Sequence, residues 1–226
     1  MSEGGKILTP GGLPLRFGVI VCSQRTPRAG LQISNLVMDT LRKYQQAQPS
    51  SQTSYSLTMI DLAEQRLPLF DEPGIPSQIH SSTDYQHAHT RAWSDLISSF
   101  NAFVFVTPQY NWGYPASVKN AIDYLFNEWK GKPAMVVSYG GHGGGKAATQ
   151  LKQVLQAVGM KVVRENVELT FPDRGFLIKA ATGQDLRLNI TREEEAEDDS
   201  GDVGLWAKEK EQMGKSFQNL LDTLNE

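Results

Sequence analysis

The sequence predicts an α/β protein in which helices cover both faces of a doubly wound parallel sheet. Strand-like and helix-like segments alternate from Leu15 to about Val163, which is typical of βα units in series. The segment Ala102–Val106 is an unbroken apolar run, as expected for a strand buried on both faces. Four or five such units in series imply one open parallel sheet, in which the strands are joined by right-handed crossovers.

The first half of the chain supplies two βα units. Short apolar runs predict strands at Leu15–Cys22 and Tyr55–Asp61. Between them, Gly30–Gln46 carries apolar residues at helical spacing and predicts an amphipathic helix. A long proline-punctuated loop is expected over Leu62–Ser82, and such loops are commonly functional or at an interface. A second helix is expected over Thr83–Ser99.

The second half continues the alternation. The strand Asn101–Thr107 ends at Pro108, which cannot donate to a sheet, and a helix begins at Pro115. Lys119 and Asp123 are four residues apart on that helix and should lie on its solvent-exposed face. The remaining predicted elements are a strand at Pro133–Tyr139, a helix at Lys146–Val158 and a fifth strand that begins at Lys161.

No second-domain boundary is evident. We expect an N-terminal tail over residues 1–14 and a single domain over 15–226, with a C-terminal extension from about residue 164. In that extension, Glu165–Thr191 has strand-like pieces, Glu193–Asp202 is an acidic run expected to be a solvated loop, and Asp202–Leu224 predicts a final helix.

Composition excludes several classes of protein. The chain has 226 residues and a net charge of −3, from 22 basic and 25 acidic residues, so we expect no nucleic-acid partner. Cys22 is the only cysteine, which excludes an internal disulfide and a multi-cysteine metal site. No segment has 18 consecutive apolar residues and no signal-peptide pattern begins the chain. We expect a cytoplasmic protein that has no membrane partner.

The turn after the first strand favours a phosphate monoester. It places Ser23, Arg25 and Arg28 just before Gly30, where the first helix begins. Helix N-termini and guanidinium groups both bind phosphate oxygens. The dinucleotide fingerprint G-x-G-x-x-G is missing here. The alternative is an ordinary exposed basic turn.

The loop after the third strand favours a flat aromatic ligand. Gln109, Tyr110, Asn111 and Trp112 follow Pro108 at the carboxyl end of a central strand, where open α/β sheets bind ligands. The alternative is that the two rings only pack the loop down.

The turn after the fourth strand is rich in glycine. The run Gly140–Gly145 nearly matches the P-loop of nucleoside triphosphatases, but Ala147 replaces the hydroxyl residue that holds Mg²⁺. Glycines at this turn also let backbone amides approach the edge of a planar ring.

Other polar residues suggest no further chemistry. His87 and His89 should point to different helix faces, so we expect no metal site. Ser23 lacks a nucleophile elbow, and a buried Cys22 is the ordinary interpretation of a cysteine at a strand end.

Taken together, the three turns resemble the NADPH-dependent FMN reductase family of flavodoxin-like proteins, which includes small NAD(P)H quinone reductases. The similar motifs are Ser23-x-Arg25-x-x-Arg28-x-Gly30, Pro108-Gln109-Tyr110-Asn111 with Pro115 and Lys119–Asp123, and Tyr139–Gly145. LPLFDEP at Leu67–Pro73 also resembles the loop after the family's second strand. The resemblance implies a flavodoxin-like strand order of 2-1-3-4-5.

The resemblance also implies FMN as cofactor and NAD(P)H as co-substrate. Ser23, Arg25 and Arg28, with Gly30, would hold the FMN phosphate, and the rings and amides of the other two turns would line the isoalloxazine. The implied lining residues are Pro108, Gln109, Tyr110, Asn111, Trp112, Ser138, Tyr139, Gly140, Gly141 and Gly143. This chain departs from the family pattern at Cys22, where Gly is usual, and at Gln109, where Glu is usual.

The implied activity is transfer of two electrons from NAD(P)H to a quinone or flavin-type acceptor by a ping-pong mechanism. His142 is a candidate to supply a proton or contact the acceptor, and a solvated loop histidine is the alternative. A homodimer is expected, formed by the helix from Pro115 and the Leu62–Ser82 loop. The alternatives are a flavodoxin-like electron carrier, a flavin-binding regulatory protein without turnover, and a binding module for aromatic ligands with no cofactor.

Overall fold

A computed structural model describes residues 14–48, 55–188 and 204–224 of the chain. The predicted N-terminal tail up to residue 13, the polar connection 49–54 and the acidic run Glu193–Asp202 lie outside these residues. The strands are β1 Leu15–Val21, β2 Tyr55–Asp61, β3 Ala102–Pro108, β4 Pro133–Gly140, β5 Lys161–Val162 and β6 Val167–Thr170. The helices are α1 Gly30–Gln46, α2 Leu62–Gln65, α3 Ala88–Ser98, α4 Ala116–Asp123, α5 Gly145–Ala157, α6 Arg174–Thr182 and α7 Ala207–Thr223.

The sheet has the predicted order and direction. Its strands run β2-β1-β3-β4-β5, and every pair is parallel. The fifth position is divided, because β5 pairs with the start of β4 and β6 pairs with its end. The flavodoxin-like fold is therefore confirmed, with two short strands where one was expected.

Burial of β3 on both faces explains the unbroken apolar run. All seven of its residues are buried. Phe103 and Phe105 belong to a core that includes residues of α3, α4 and α5, whereas Val104 and Val106 belong to a core that includes residues of α1 and α7. Successive side chains of a strand point to opposite faces, so one strand serves both cores.

One prediction for the C-terminal extension needs correction. In the described part of the strand-like stretch Glu165–Thr191, up to residue 188, there are one strand, β6, and one helix, α6. Asp173 caps this helix by accepting a hydrogen bond from the Phe176 amide at 2.8 Å, and Gly183 ends it with φ of 71°. Both are ordinary helix boundary signals that the sequence interpretation overlooked.

The helix expected over Thr83–Ser99 begins later, at Ala88. Residues Ser82–Asp84 form a separate 3₁₀ turn, and His87 has an extended backbone. The buried carboxylate of Glu72 accepts hydrogen bonds from the amides of Gln86 and His87, which holds this segment extended up to the helix start. The loop that was expected over Leu62–Ser82 also begins with a helical turn, α2.

Replacing Glu72 with Gln should lower the free energy of unfolding by about 1–3 kcal/mol at pH 7, because a buried amide cannot accept every hydrogen bond that the carboxylate accepts. Burial alone would raise the pKa of Glu72, but hydrogen bonds from Thr90, Gln86 and His87 lower it below its ordinary value of 4.5. The carboxylate therefore stabilises the fold above about pH 4.5, and this contribution is lost as the pH falls through the lowered pKa.

Urea unfolding at pH 7 and at acidic pH measures this difference. Acidification should reduce the difference in the free energy of unfolding between E72Q and the unmodified protein. The control variant Glu64→Gln, at an exposed position of α2, should have nearly the same free energy of unfolding as the unmodified protein at either pH. An E72Q variant as stable as the E64Q variant at pH 7 would show that the loop does not depend on this carboxylate.

Candidate functional site

Three turns meet at the carboxyl edge of the sheet because β1, β3 and β4 are neighbours. They enclose a cleft with a volume of about 290 Å³. From the predicted site, Arg25, Arg28, Pro108, Gln109, Tyr110, Tyr139, Gly140 and Gly141 line this cleft. The predicted residues Ser23, Gly30, Asn111, Trp112, Ser138 and Gly143 lie beside or behind it rather than on its wall.

The first turn is built tightly around Gly30. A Cβ atom at this position would collide with Ser23 Oγ and lie 2.8 Å from the Tyr139 hydroxyl oxygen, so only glycine fits here. Ser23 Oγ is fully buried and has no hydrogen-bond partner among the described residues. The first turn of α1 has no acidic residue and no side-chain cap. This helix N-terminus therefore keeps amides that suit an anion.

Arg28 is held by the protein itself. Its guanidinium donates to both carboxylate oxygens of Asp61, at 2.8 and 2.5 Å, and to the Ser23 carbonyl at 2.5 Å. The hydrogen bond to Asp61 raises the pKa of Arg28, so the guanidinium keeps its charge. Asp61 is only 5% exposed, which makes this a largely buried ion pair. Sequence reasoning missed Asp61, which ends β2 next to the first turn.

Arg25 is placed differently. Its guanidinium carbon lies 3.7 Å from the centre of the Tyr110 ring, which is the geometry of a cation–π contact. Within the described residues, Arg25 has no carboxylate partner, so its charge is not offset by an ion pair. Of the two arginines, Arg25 is thus the one whose charge is available to an anion in the cleft.

The loop after β3 is a tight two-residue turn. Tyr110 and Gly113 exchange two backbone hydrogen bonds of 2.8 and 3.0 Å, and Asn111 and Trp112 between them have φ of 49° and 67°. Positive φ is costly for a bulky residue such as tryptophan. The turn projects the Trp112 ring outward, where it is 57% exposed and stacks on the His142 ring at 5.8 Å. Lys146 Nζ lies 4.7 Å from the centre of the same indole. The Trp112–His142 pair forms a rim beside the cleft.

Gln109, which stands where the resemblance implied glutamate, makes one contact with α5. Its side-chain oxygen accepts a long hydrogen bond of 3.4 Å from the Ala147 amide in the first turn of α5. A neutral amide oxygen therefore links the loop after β3 to the glycine turn. The position does not need a charge to make this contact.

Three glycines of the glycine turn have positive φ: Gly140, Gly143 and Gly144. Gly143 and Gly144 have φ of 71° and 83°, and a Cβ atom on Gly144 would lie 2.9 Å from Ser138 Cβ. The Ser138 hydroxyl, at the end of β4, donates a hydrogen bond of 2.8 Å to the Gly143 carbonyl and holds the turn in place. Ala147 is fully buried, so its side chain is packed in the core and does not reach the turn. These features disfavour a P-loop.

Outside the three turns, four lining residues were not foreseen from the sequence: Phe171, Leu177, Ala180 and Ala181. Phe171 follows β6, and the other three belong to α6. Their only sequence signal was the pair of α6 boundary residues, Asp173 and Gly183, which predicts a helix but not its position over the cleft.

His87 and His89 were expected to point to different helix faces, and this prediction was wrong. The His87 and His89 rings stack at 5.1 Å, because His87 precedes the helix and has an extended backbone. Both rings contact Asp71: His87 Nε2 lies 3.1 Å from its carbonyl oxygen, and His89 Nε2 lies 3.0 Å from its Oδ1. Among the described residues, no group of three histidine, cysteine or acidic side chains is arranged to hold a metal ion.

None of the described helices has the length and apolar character needed to cross a membrane.

Comparisons with known proteins show which sequences resemble this chain. Residues 15–171 match the sequence model of a family described as NADPH-dependent FMN reductase. The NAD(P)H-dependent FMN reductase LOT6 of Saccharomyces cerevisiae is 43% identical over 151 residues, which cover 66% of this chain and 78% of that protein. An NAD(P)H-dependent FMN reductase of Schizosaccharomyces pombe is 48% identical over 121 residues, covering 54% of this chain and 60% of that protein.

A solved structure shares the fold. FerB, a flavoenzyme NAD(P)H:(acceptor) oxidoreductase from Paracoccus denitrificans, superposes with a TM-score of 0.56 at 20% identity, over 93% of this chain and 97% of that chain.

Proposed function

Because the chain belongs to the NADPH-dependent FMN reductase family and is therefore an oxidoreductase that uses FMN and NAD(P)H, we propose that it passes two electrons from the nicotinamide to a quinone or flavin-type acceptor by a ping-pong mechanism. The observation that carries the proposal is the cleft in which three family-matched turns meet. One end of this cleft offers cationic and amide donors, and the other offers an aromatic ring and glycine backbone.

The donor set fits FMN. We assign the phosphate end to Arg25 and the uncapped amides of α1, with Ser23, Arg28 and Gly30 shaping the turn around them. We assign the ring end to the segment Pro108–Trp112 and to the glycine turn, whose amides would donate to ring carbonyl oxygens. Bound FMN would supply the two-electron redox chemistry.

The protein's own residues would then control access. Trp112 and His142 form a rim with exposed rings next to the cleft, which suits the stacking of a flat nicotinamide or quinone. Donor and acceptor would use this opening in turn, and such sharing is the basis for the ping-pong proposal. We propose that His142 supplies a proton or contacts the acceptor at this rim.

A flavodoxin-like electron carrier or a flavin-binding regulatory protein is the second candidate. Its strongest support is the shared fold. Against it, the proposed phosphate turn contains two arginines, Arg25 and Arg28, rather than hydroxyl groups alone, and the net charge is only −3. A carrier or regulator would bind flavin but would not turn over NAD(P)H with an acceptor.

Anaerobic half-reactions distinguish these functions. The purified protein should be yellow, should lose its flavin colour when NADH or NADPH is added under argon, and should regain it on addition of a quinone. Parallel lines in double-reciprocal plots at several quinone concentrations would support the ping-pong scheme. A yellow protein that NAD(P)H does not bleach would favour the carrier or regulator. A protein that does not bind added FMN would contradict both candidate functions.

We also propose a homodimer in the cytoplasm. The loop after α2 exposes Leu69, Phe70 and Ile75, and Leu69 is 87% exposed. Asn120 of α4 fastens this loop by bonding to the Phe70 amide and the Pro68 carbonyl, at 2.8 and 2.7 Å. Loop and helix thus offer one partly apolar surface for a second copy. Analytical ultracentrifugation tests the dimer, and a monomer at micromolar concentration would contradict it.

A further inference from the structure

Helix α6 closes the fourth side of the cleft, although it lies beyond the family-matched residues 15–171. Three of its residues line the cleft: Leu177, Ala180 and Ala181. The other three sides come from the turns after β1, β3 and β4. The site of this chain therefore has a wall that the family resemblance does not supply.

The helix spans the cleft from one proposed end to the other. A Cβ atom on Gly141, in the glycine turn, would lie 3.0 Å from Leu177 Cδ1. A Cβ atom on Gly183, directly after the helix, would lie 2.6 Å from Pro27 Cβ in the first turn. Helical rise of about 1.5 Å per residue puts roughly 9 Å between Leu177 and Gly183. The helix thus contacts both the ring end and the phosphate end.

Both ends of α6 are tied to the rest of the protein. At its start, the Phe176 ring packs against Phe171 at 5.0 Å and against Trp206, just before α7, at 5.7 Å. After its end, the side chain of Gln32 in α1 donates to the Gln184 carbonyl at 2.9 Å and accepts from the Leu186 amide at 2.9 Å. These contacts hold the helix over the cleft.

With α6 in this position, the cleft is small for a cofactor. Its volume of about 290 Å³ is at the lower edge of the roughly 300–1,000 Å³ that ligand sites usually have. The side chains that α6 presents to the cleft are aliphatic, so they offer apolar contact and no side-chain hydrogen-bonding group.

We propose that α6 is a cover over the flavin, with Leu177 as the side chain that closes it against the glycine turn. The inference rests on the proposed function, because it takes the cleft to be the FMN site. The cover adds apolar contact to the bound cofactor, and it must move outward before FMN can leave. Opening of α6 therefore sets the rate of cofactor release.

Two neighbouring residues make a matched test. Leu177 lines the cleft and is 43% exposed, whereas Ile178, 49% exposed, is on the same helix and does not line it. FMN release from L177A, I178A and the unmodified protein is followed by the recovery of flavin fluorescence after dilution. L177A should release FMN about fivefold faster, since a half-exposed leucine loses about three carbon atoms of contact. I178A should stay within about twofold of the unmodified protein.

Hydrogen–deuterium exchange of the unmodified protein is a second measurement that needs no substitution. Amides of α6 should exchange more slowly when FMN is bound, to a greater extent than amides of α7. Equal release rates for L177A and the unmodified protein, or α6 amides that FMN does not protect, would overturn the cover even if FMN binds and turnover occurs. Failure of the unmodified protein to bind FMN would instead overturn the proposed function along with it.

Discussion

Replacing Arg28 with Met should lower the free energy of unfolding by about 3 kcal/mol, because the buried Asp61 carboxylate is left without its partner. Three hydrogen bonds of 2.5–2.8 Å hold this guanidinium to Asp61 and the Ser23 carbonyl, so its loss also loosens the first turn. Urea unfolding monitored by tryptophan fluorescence measures the change.

A matched pair of arginines provides the control. Arg42 forms an ion pair with Asp39 at 2.9 Å, but the two side chains are 51% and 40% exposed. An exposed pair contributes little to stability, so R42M should change the free energy of unfolding by less than about 0.5 kcal/mol. Adding D61N to R28M should restore part of the lost stability, because the unpaired buried charge is then removed. If R28M is as stable as R42M, the ion pair does not hold the turn.

Replacing Arg25 with Ala weakens FMN binding by about 1.5–3 kcal/mol, or roughly 10- to 150-fold in Kd, with little change in folding stability. Arg25 stacks on Tyr110 and has no carboxylate partner among the described residues, so its charge is available to a phosphate. Quenching of FMN fluorescence in a titration of the apoprotein gives the Kd.

Two further variants and a second ligand test whether Arg25 binds the FMN phosphate. Arg25→Lys keeps the charge but loses the planar fork and most of the stacking on Tyr110, so its Kd should fall between those of R25A and the unmodified protein. R42A on α1 is the control, and its Kd should not change. Riboflavin, which lacks the phosphate, should bind R25A and the unmodified protein alike. An R25A variant that keeps the original Kd for FMN would remove Arg25 from the phosphate site.

The two arginines show why the site was only partly predictable. In the sequence, Arg25 and Arg28 are equivalent members of one turn, and both were expected to hold phosphate. Tertiary structure separates them, because β2 ends beside β1 and brings Asp61 to Arg28. An ion pair across 33 residues has no local sequence signal. Whether Arg28 also contacts phosphate stays a prediction, as do the assigned roles of the other site residues.

The sequence by itself determined most of the strands and helices and the three turns that carry the site, and its resemblance to a family implied the strand order. Apolar periodicity, prolines and glycines act over a few residues, and these local constraints are legible along the chain. Only the tertiary structure decided the division of the fifth strand, the pairing of Arg28 with Asp61 and the position of α6 over the cleft. These depend on which distant surfaces pack together, and no single segment of the chain encodes that choice.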